Sequence, residues 1–175
     1  RGLSVQLPQF DFVNGKSIDG RLAQLAKNQI VIIEGIHGLN PRLVYSVARE
    51  NLFRIYISPL TALNIDMHNR VPTTDVRLLR RIVRDASHRG NNAATTLDRW
   101  ESVRAGEKRN IFPYQENADA IFNSALTYEL AALRPLAEPL LLQVEPMTSA
   151  HLEANRLLSF LRWVEPLAPA QRDLI

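Results

Sequence analysis

One stretch limits the architecture more than any other: QIVIIEGI (29–36), in which Ile30, Val31, Ile32 and Ile33 run without a polar break before Glu34 and Gly35. A strand with one wet face alternates polar and apolar residues. A continuous β-branched run instead points to a strand covered on both faces, as in a parallel sheet flanked by helices. FRIYIS (53–58) reads as a second strand, and NPRLVYSVAREN (40–51) between them has helical spacing with Pro41 near its start, so a strand, helix, strand unit is predicted. ADAIFNS (118–124) adds a short strand. The segments 126–144 and 149–164 read as closing helices, the first interrupted by Pro135 and Pro139, the second capped by Ser149. The expected class is α/β.

VPTTDVRLLRRIVRDASHRGN (71–91) gives the strongest helix signal, with Thr73 or Thr74 as N-cap, Asp75 in the first turn and Gly90 after the end. At about 100° per residue, Val76, Leu79, Ile82, Val83 and Ala86 share one face, while Arg77, Arg80, Arg81, Arg84 and His88 share the opposite one, with Asp75 and Asp85 outside that stripe. A solvated helix face is the ordinary meaning of charges at this spacing, but such faces mix signs for i,i+4 pairing. Four arginines with no acid among them favour a phosphate or polyanion site, because planar guanidinium groups match phosphate oxygens. The wider charge pattern agrees: net charge is +3 over 175 residues, yet 68–109 holds ten Lys/Arg against five Asp/Glu, so the positive field is local.

Other chemistry is thinner. GKS (15–17) ends like a phosphate-binding loop, but Phe10 stands where the loop's first glycine is needed, and Pro8 breaks the run leading in, so a turn is predicted instead. Glu34, at the C-terminal end of an expected parallel strand, is placed where open α/β sheets bind ligands. It reads equally as a Mg²⁺-associated carboxylate or as an ordinary polar strand end. His37, His68, His88 and His151 lack metal-ligand spacing, and Trp100 and Trp163 read as packing residues. With no Cys, disulfides and thiolate metal sites are excluded, no window has the 18 apolar residues of a membrane span, and the cytoplasm is the expected compartment. The start at Arg1 and the end at AQRDLI lead us to expect a piece of a longer polypeptide.

VIIEGIHGLNP (31–41) together with RRIVRDASHRG (80–90) resembles the uridine kinase and phosphoribulokinase family of P-loop kinases. The longer run RIYISPLTALNIDMHNRVPTTDVRLLRRIVRD (54–85), with RNIFPYQENADAIFNSAL (109–126), is similar to bacterial uridine kinase-like proteins whose kinase domain follows TGS and threonyl-tRNA-synthetase-like modules. The resemblance implies a partial P-loop kinase fold over 1–146 with an arginine-rich lid at about 74–110, and extra C-terminal helices over 147–175. It implies ATP and Mg²⁺ as cofactors and a nucleoside or small sugar as acceptor. Residue by residue, it implies that Glu34 is the Mg²⁺-associated glutamate, that Phe10, Asp11 and Phe12 form the acceptor-side wall, that Arg81 approaches the acceptor, and that Arg84 and Arg89 approach the ATP phosphates. Gly15 stands where relatives that read a pyrimidine place a His, Asn91 replaces a further lid arginine, and Arg99 stands near an expected glutamine. The family's phosphate loop and the Asp that follows it have no counterpart in the sequence.

The expected function is therefore part of an ATP-dependent nucleoside kinase, inactive without a missing N-terminal kinase segment. The alternative is a non-catalytic nucleotide- or RNA-binding module. An unpaired sheet edge would also allow a homo-oligomer.

Overall fold

The computed structural model describes residues 2–11 and 14–168. Among the described residues four strands, β1 (Val5–Asp11), β2 (Lys16–Ala23), β3 (Ile55–Ser58) and β4 (Ala120–Asn123), accompany five α-helices, α1 (Thr73–Arg89), α2 (Ala93–Asp98), α3 (Trp100–Asn110), α4 (Glu129–Leu142) and α5 (Ser149–Leu161). The mixed α/β class with a parallel pair is borne out: β3 and β4 run parallel, from Ile55 opposite Ala120 to Ser58 opposite Asn123. Asp119 joins their N-terminal ends. Its carboxylate accepts the Arg54 backbone N–H at 2.7 Å and pairs with Arg49, while its own N–H donates to the Arg54 carbonyl at 2.8 Å.

β1 and β2 form an antiparallel hairpin whose register shifts between Gln6 and Pro8, where proline has no N–H for the ladder. The turn answers the GKS question. Asp11 accepts the Asn14 backbone N–H at 3.2 Å and its side-chain amide at 2.6 Å, and Gly15 sits at φ +64°, the left-handed region that an Asn-Gly turn uses. Lys16 and Ser17 then enter a strand, not a helix, so these residues build a hairpin turn.

Two expectations fail between β2 and β3. Residues 29–34 are not a strand: the backbone lacks a ladder partner, and Ile30 and Ile32 are 92% and 91% exposed. A parallel strand takes its backbone bonds entirely from neighbours, and among the described strands β3 pairs only with β4. The predicted helix over 40–51 is two short 3₁₀ turns, Pro41–Val44 and Arg49–Asn51. Asn40 caps the first by accepting the Arg42 N–H at 3.0 Å, but neither turn buries a residue, and an isolated helix this short is marginal without a packed face.

The core lies among the helices. Val76, Leu78, Leu79 and Ile82 of α1 pack with Leu97 of α2, Leu130, Ala137 and Leu141 of α4, and Ala154, Leu157 and Leu161 of α5. α1 starts one residue earlier than a Thr73 cap, and two earlier than a Thr74 cap, would place it, with Pro72 as N-cap and no side-chain cap, and it ends as expected on Gly90 at φ +64°. α4 runs unbroken through Pro135 and Pro139. Pro135 cannot donate to the Ala131 carbonyl, and the Leu167 N–H takes that acceptor instead at 3.0 Å. α5 is capped by Thr148, whose hydroxyl accepts the His151 N–H at 3.1 Å, rather than by Ser149. Trp100 packs against the core, whereas Trp163 is exposed and does not.

Candidate functional site

Helix α1 carries the site because its sequence separates two tasks. The apolar side anchors it in the core, and the polar side is divided again by what its arginines meet. Arg77 reaches α3, where Nη1 donates to Glu107 Oε2 at 2.8 Å and Nη2 pairs with Oε1. Arg80 pairs through Nε with Glu129 of α4 and donates from Nη2 to the Ser124 carbonyl at 2.7 Å. The stripe that reads as one-signed is thus half neutralised, by buried acids from helices far along the chain.

The remaining arginines converge on one carboxylate. Asp85 is 2% exposed and accepts from Arg84 Nε at 3.3 Å and Nη2 at 3.2 Å and from Arg89 Nη1 at 3.2 Å, while Arg81 Nε lies 3.2 Å from its other oxygen. Arg81 and Arg89 stand four residues either side of Asp85, so one helix turn in each direction brings them to it. Burial holds the Arg81 guanidinium below its ordinary pKa, with attraction from Asp85 opposing and repulsion from Arg84 and Arg89 adding. Among the described ion pairs three guanidinium groups meet the one carboxylate of Asp85, and Arg84 is half exposed. An incoming phosphate oxygen would find guanidinium N–H groups held in place and a field that attracts it. Asp85, which helical projection set outside the stripe, is its organiser.

A cavity of about 160 Å³ opens beyond the C-terminal ends of β3 and β4, where ligands bind in open parallel sheets. Leu60, Leu63, Val76, Leu126 and Leu130 give it apolar walls. Asn123 ties its two strand-end loops together, accepting the Leu60 N–H at 2.8 Å and the Ala125 N–H at 3.0 Å and donating to the Leu60 carbonyl at 3.0 Å. Sequence reasoning missed this cavity. The available signal was an Asn ending an apolar strand, which is weak without knowing that β3 lies alongside.

The other expected site residues fall elsewhere. Phe10 and Asp11 lie on β1, in a hairpin that packs chiefly on itself, and Phe12 lies outside the described residues. Glu34 is exposed and makes no hydrogen bond or ion pair among the described residues. No three His, Asp or Glu side chains gather as a metal site among the described residues. Mg²⁺ commonly takes one or two protein carboxylates and completes its shell with water and substrate phosphates, so a single uncommitted Glu34 fits that mode.

The fold is thus mixed α/β, with a cavity beyond the ends of its parallel strands and a helix carrying clustered arginines. The family model described as "Phosphoribulokinase / Uridine kinase family" matches residues 1–131, and the chain belongs to that family. It is similar to a uridine kinase of Borrelia duttonii, 29% identical over 120 residues covering 67% of this chain and 50% of that protein. A uridine kinase of Halobacterium salinarum is 29% identical over 122 residues, covering 69% and 46%. The chain therefore spans about half the length of the curated relatives it matches. No solved structure matches it. No helix among the described residues is long and apolar enough to cross a membrane.

Proposed function

We propose that this chain is part of an ATP-dependent kinase that phosphorylates a hydroxyl of a nucleoside or a related small sugar. The observation that carries the reading is the convergence of Arg81, Arg84 and Arg89 on buried Asp85. Phosphoryl transfer asks mainly for positioning and charge neutralisation, and pre-oriented guanidinium groups supply both. In this reading Arg84 and Arg89 contact the transferring phosphoryl group, Arg81 faces the acceptor, and Phe10, Asp11 and Phe12 wall the acceptor side. Glu34 would hold Mg²⁺, which when bound supplies charge neutralisation between the phosphates. The cavity at the ends of β3 and β4 takes a flat apolar group of the ligand.

The phosphate cradle comes from polypeptide other than these 175 residues, with synthetase-like modules as neighbours in the parent. Two observations support a phosphate cradle from elsewhere: Gly15 sits in a hairpin turn from which Lys16 and Ser17 enter β2, and the exposed apolar segment 29–34 pairs with no strand among the described residues. A parallel strand from that polypeptide, laid against 29–34 and the open edge of β3, would bury both. The isolated chain is then expected to have no kinase activity, and the kinase is expected to work in the cytoplasm.

The test is ATP turnover by the full-length protein against a panel of nucleosides and pentose phosphates, with Arg84→Ala as the variant. Turnover of one acceptor, with kcat lowered by roughly 10²–10³-fold in Arg84→Ala, is the expected result. Absence of turnover together with salt-sensitive RNA binding would replace this reading with an RNA-binding module.

A further inference from the structure

The tip of the hairpin formed by β1 and β2 carries Asn14 followed by Gly15, and no other Asn in the chain precedes a glycine. Both residues are exposed, and a Cβ built on Gly15 would meet nothing within 4 Å, so open space surrounds the backbone there. The Gly15 N–H makes no hydrogen bond among the described residues. The Asn14 side chain, by contrast, is tied to the turn: Nδ2 donates to Asp11 Oδ2 at 2.6 Å, while the Asn14 backbone N–H donates to Oδ1 at 3.2 Å. An uncommitted amide nitrogen thus follows a side-chain carboxamide with the covalent spacing that closes a five-membered ring.

Glycine at the second position matters because it has no side chain to shield its nitrogen or to restrict the backbone turn that ring closure needs. Gly15 N attacks Asn14 Cγ and forms the N–Cγ bond. The Cγ–Nδ2 bond then breaks, and the proton lost by Gly15 N departs with Nδ2 as ammonia. Water opens the resulting succinimide at either carbonyl. Addition at Cγ leaves an aspartate, whereas addition at the backbone carbonyl carbon leaves an isoaspartate, whose main chain runs through Cβ and Cγ. One water enters and one ammonia leaves, with no oxidant, reductant or second enzyme.

The same hairpin contains its own control. Asp19 and Gly20 could close the same ring with loss of water, but they lie inside β2, where Asp19 is paired opposite Pro8, the Gly20 carbonyl accepts from Gln6 Nε2, and a Cβ on Gly20 would stand 2.7 Å from the Leu7 carbonyl oxygen. A strand pairing holds that backbone extended, whereas an exposed loop tip opens at little cost. We infer that Asn14 is a site of spontaneous deamidation, a self-modification that converts the hairpin tip to aspartate and isoaspartate as the protein ages. The product lacks the Nδ2 donor that now meets Asp11 and sets a second carboxylate beside it, so repulsion replaces a hydrogen bond, and isoaspartate also lengthens the loop between the two strands.

The test incubates the full-length protein in mildly alkaline buffer at physiological temperature and follows it by peptide mapping in the mass spectrometer, with enzymatic detection of isoaspartate. A synthetic peptide covering 9–19 gives the rate for an unfolded chain. The amide-to-acid mass change should appear at Asn14 and at no other Asn, at a rate within about tenfold of the peptide's, while Asp19 stays unchanged. Asn14→Gln, whose ring would need six members, should fold alike by circular dichroism and lose the change. Amide hydrogen exchange over 5–23 should quicken in the aged wild type and stay constant in aged Asn14→Gln. No detectable change at Asn14 once the peptide has fully converted would mean that the turn protects it, and would overturn the inference. Isoaspartate at Asp19 in place of Asn14 would overturn it as well.

Discussion

Asp85 sets the character of the arginine cluster because it is the only acid paired with Arg81, Arg84 and Arg89 among the described ion pairs. Removing one partner of a buried ion pair costs about 3–5 kcal/mol. Here the arginines are partly solvated and screened, so Asp85→Asn is expected to cost roughly 2 kcal/mol. The same change removes the anion between Arg81 and Arg84, whose charges repel, so inorganic phosphate should raise the melting temperature of Asp85→Asn more than that of the wild type. Equal melting curves, with and without phosphate, would mean that Asp85 does not organise the three arginines. Asp119 gives a residue-scale expectation with a pH sign. The Arg54 backbone N–H, and then the Arg49 side chain, hold its carboxyl below the ordinary value. A depressed folded pKa adds stability that is present above the unfolded value of about 3.9 and lost as pH falls through the lower folded value. Asp119→Asn should therefore flatten the acid limb of the stability curve below about pH 4 while leaving its shape above pH 5 unchanged, which thermal melts across that range would show.

At the scale of elements, α4 shows a compensation between distant parts of the chain. An interior proline ordinarily costs about 3 kcal/mol, partly because it leaves a carbonyl four residues back without its donor. In α4 that carbonyl belongs to Ala131 and is bonded by Leu167, and Arg134 Nη1 ties the same C-terminal segment by donating to the Val164 carbonyl at 2.6 Å. Pro135→Ala should gain only about 1 kcal/mol or less in urea unfolding, because the new helical bond displaces one already made. A gain near the full proline cost would show that the Leu167 bond contributes little. Gly90 is simpler: a Cβ there meets open space, so Gly90→Ala pays only for the left-handed backbone, roughly 1 kcal/mol. What the sequence disclosed divides along the same line. The body of α1, its Gly90 stop and the short β4 were legible because periodicity and capping are local. The strand reading of 29–36 failed because a parallel strand exists only with neighbours, and the helix reading of 40–51 failed because no core lies beneath it. The site was half legible for the same reason. The arginines stand out in the sequence, but Glu107 and Glu129, which remove Arg77 and Arg80 from it, arrive from α3 and α4.

For the whole molecule, the dominant feature is apolar surface concentrated away from the helical core. Besides the exposed run at 30–33, the sheet leaves Ile55, Ile57, Ile121 and Phe122 largely in water. Covering one such side chain fully is worth about 1.5–3 kcal/mol, so the four residues of 29–34 that are β-branched and apolar represent several kcal/mol of drive toward any strand that will pair with them. An unpaired strand edge beside exposed apolar side chains is also the arrangement that recruits a second chain when nothing else covers it. The isolated 175-residue chain is therefore expected to self-associate as its concentration rises, in sedimentation velocity experiments. Replacing Ile30 and Ile32 by Lys should abolish that association and leave the melting temperature unchanged, because neither side chain belongs to the core. Lysine at such a place keeps the backbone free to pair but makes burial of the edge costly, which separates a sticky surface from a structural one. A wild-type chain that stays monomeric throughout would show that 29–34 offers no usable edge, and the proposal that a strand from other polypeptide lies against it would lose its physical support.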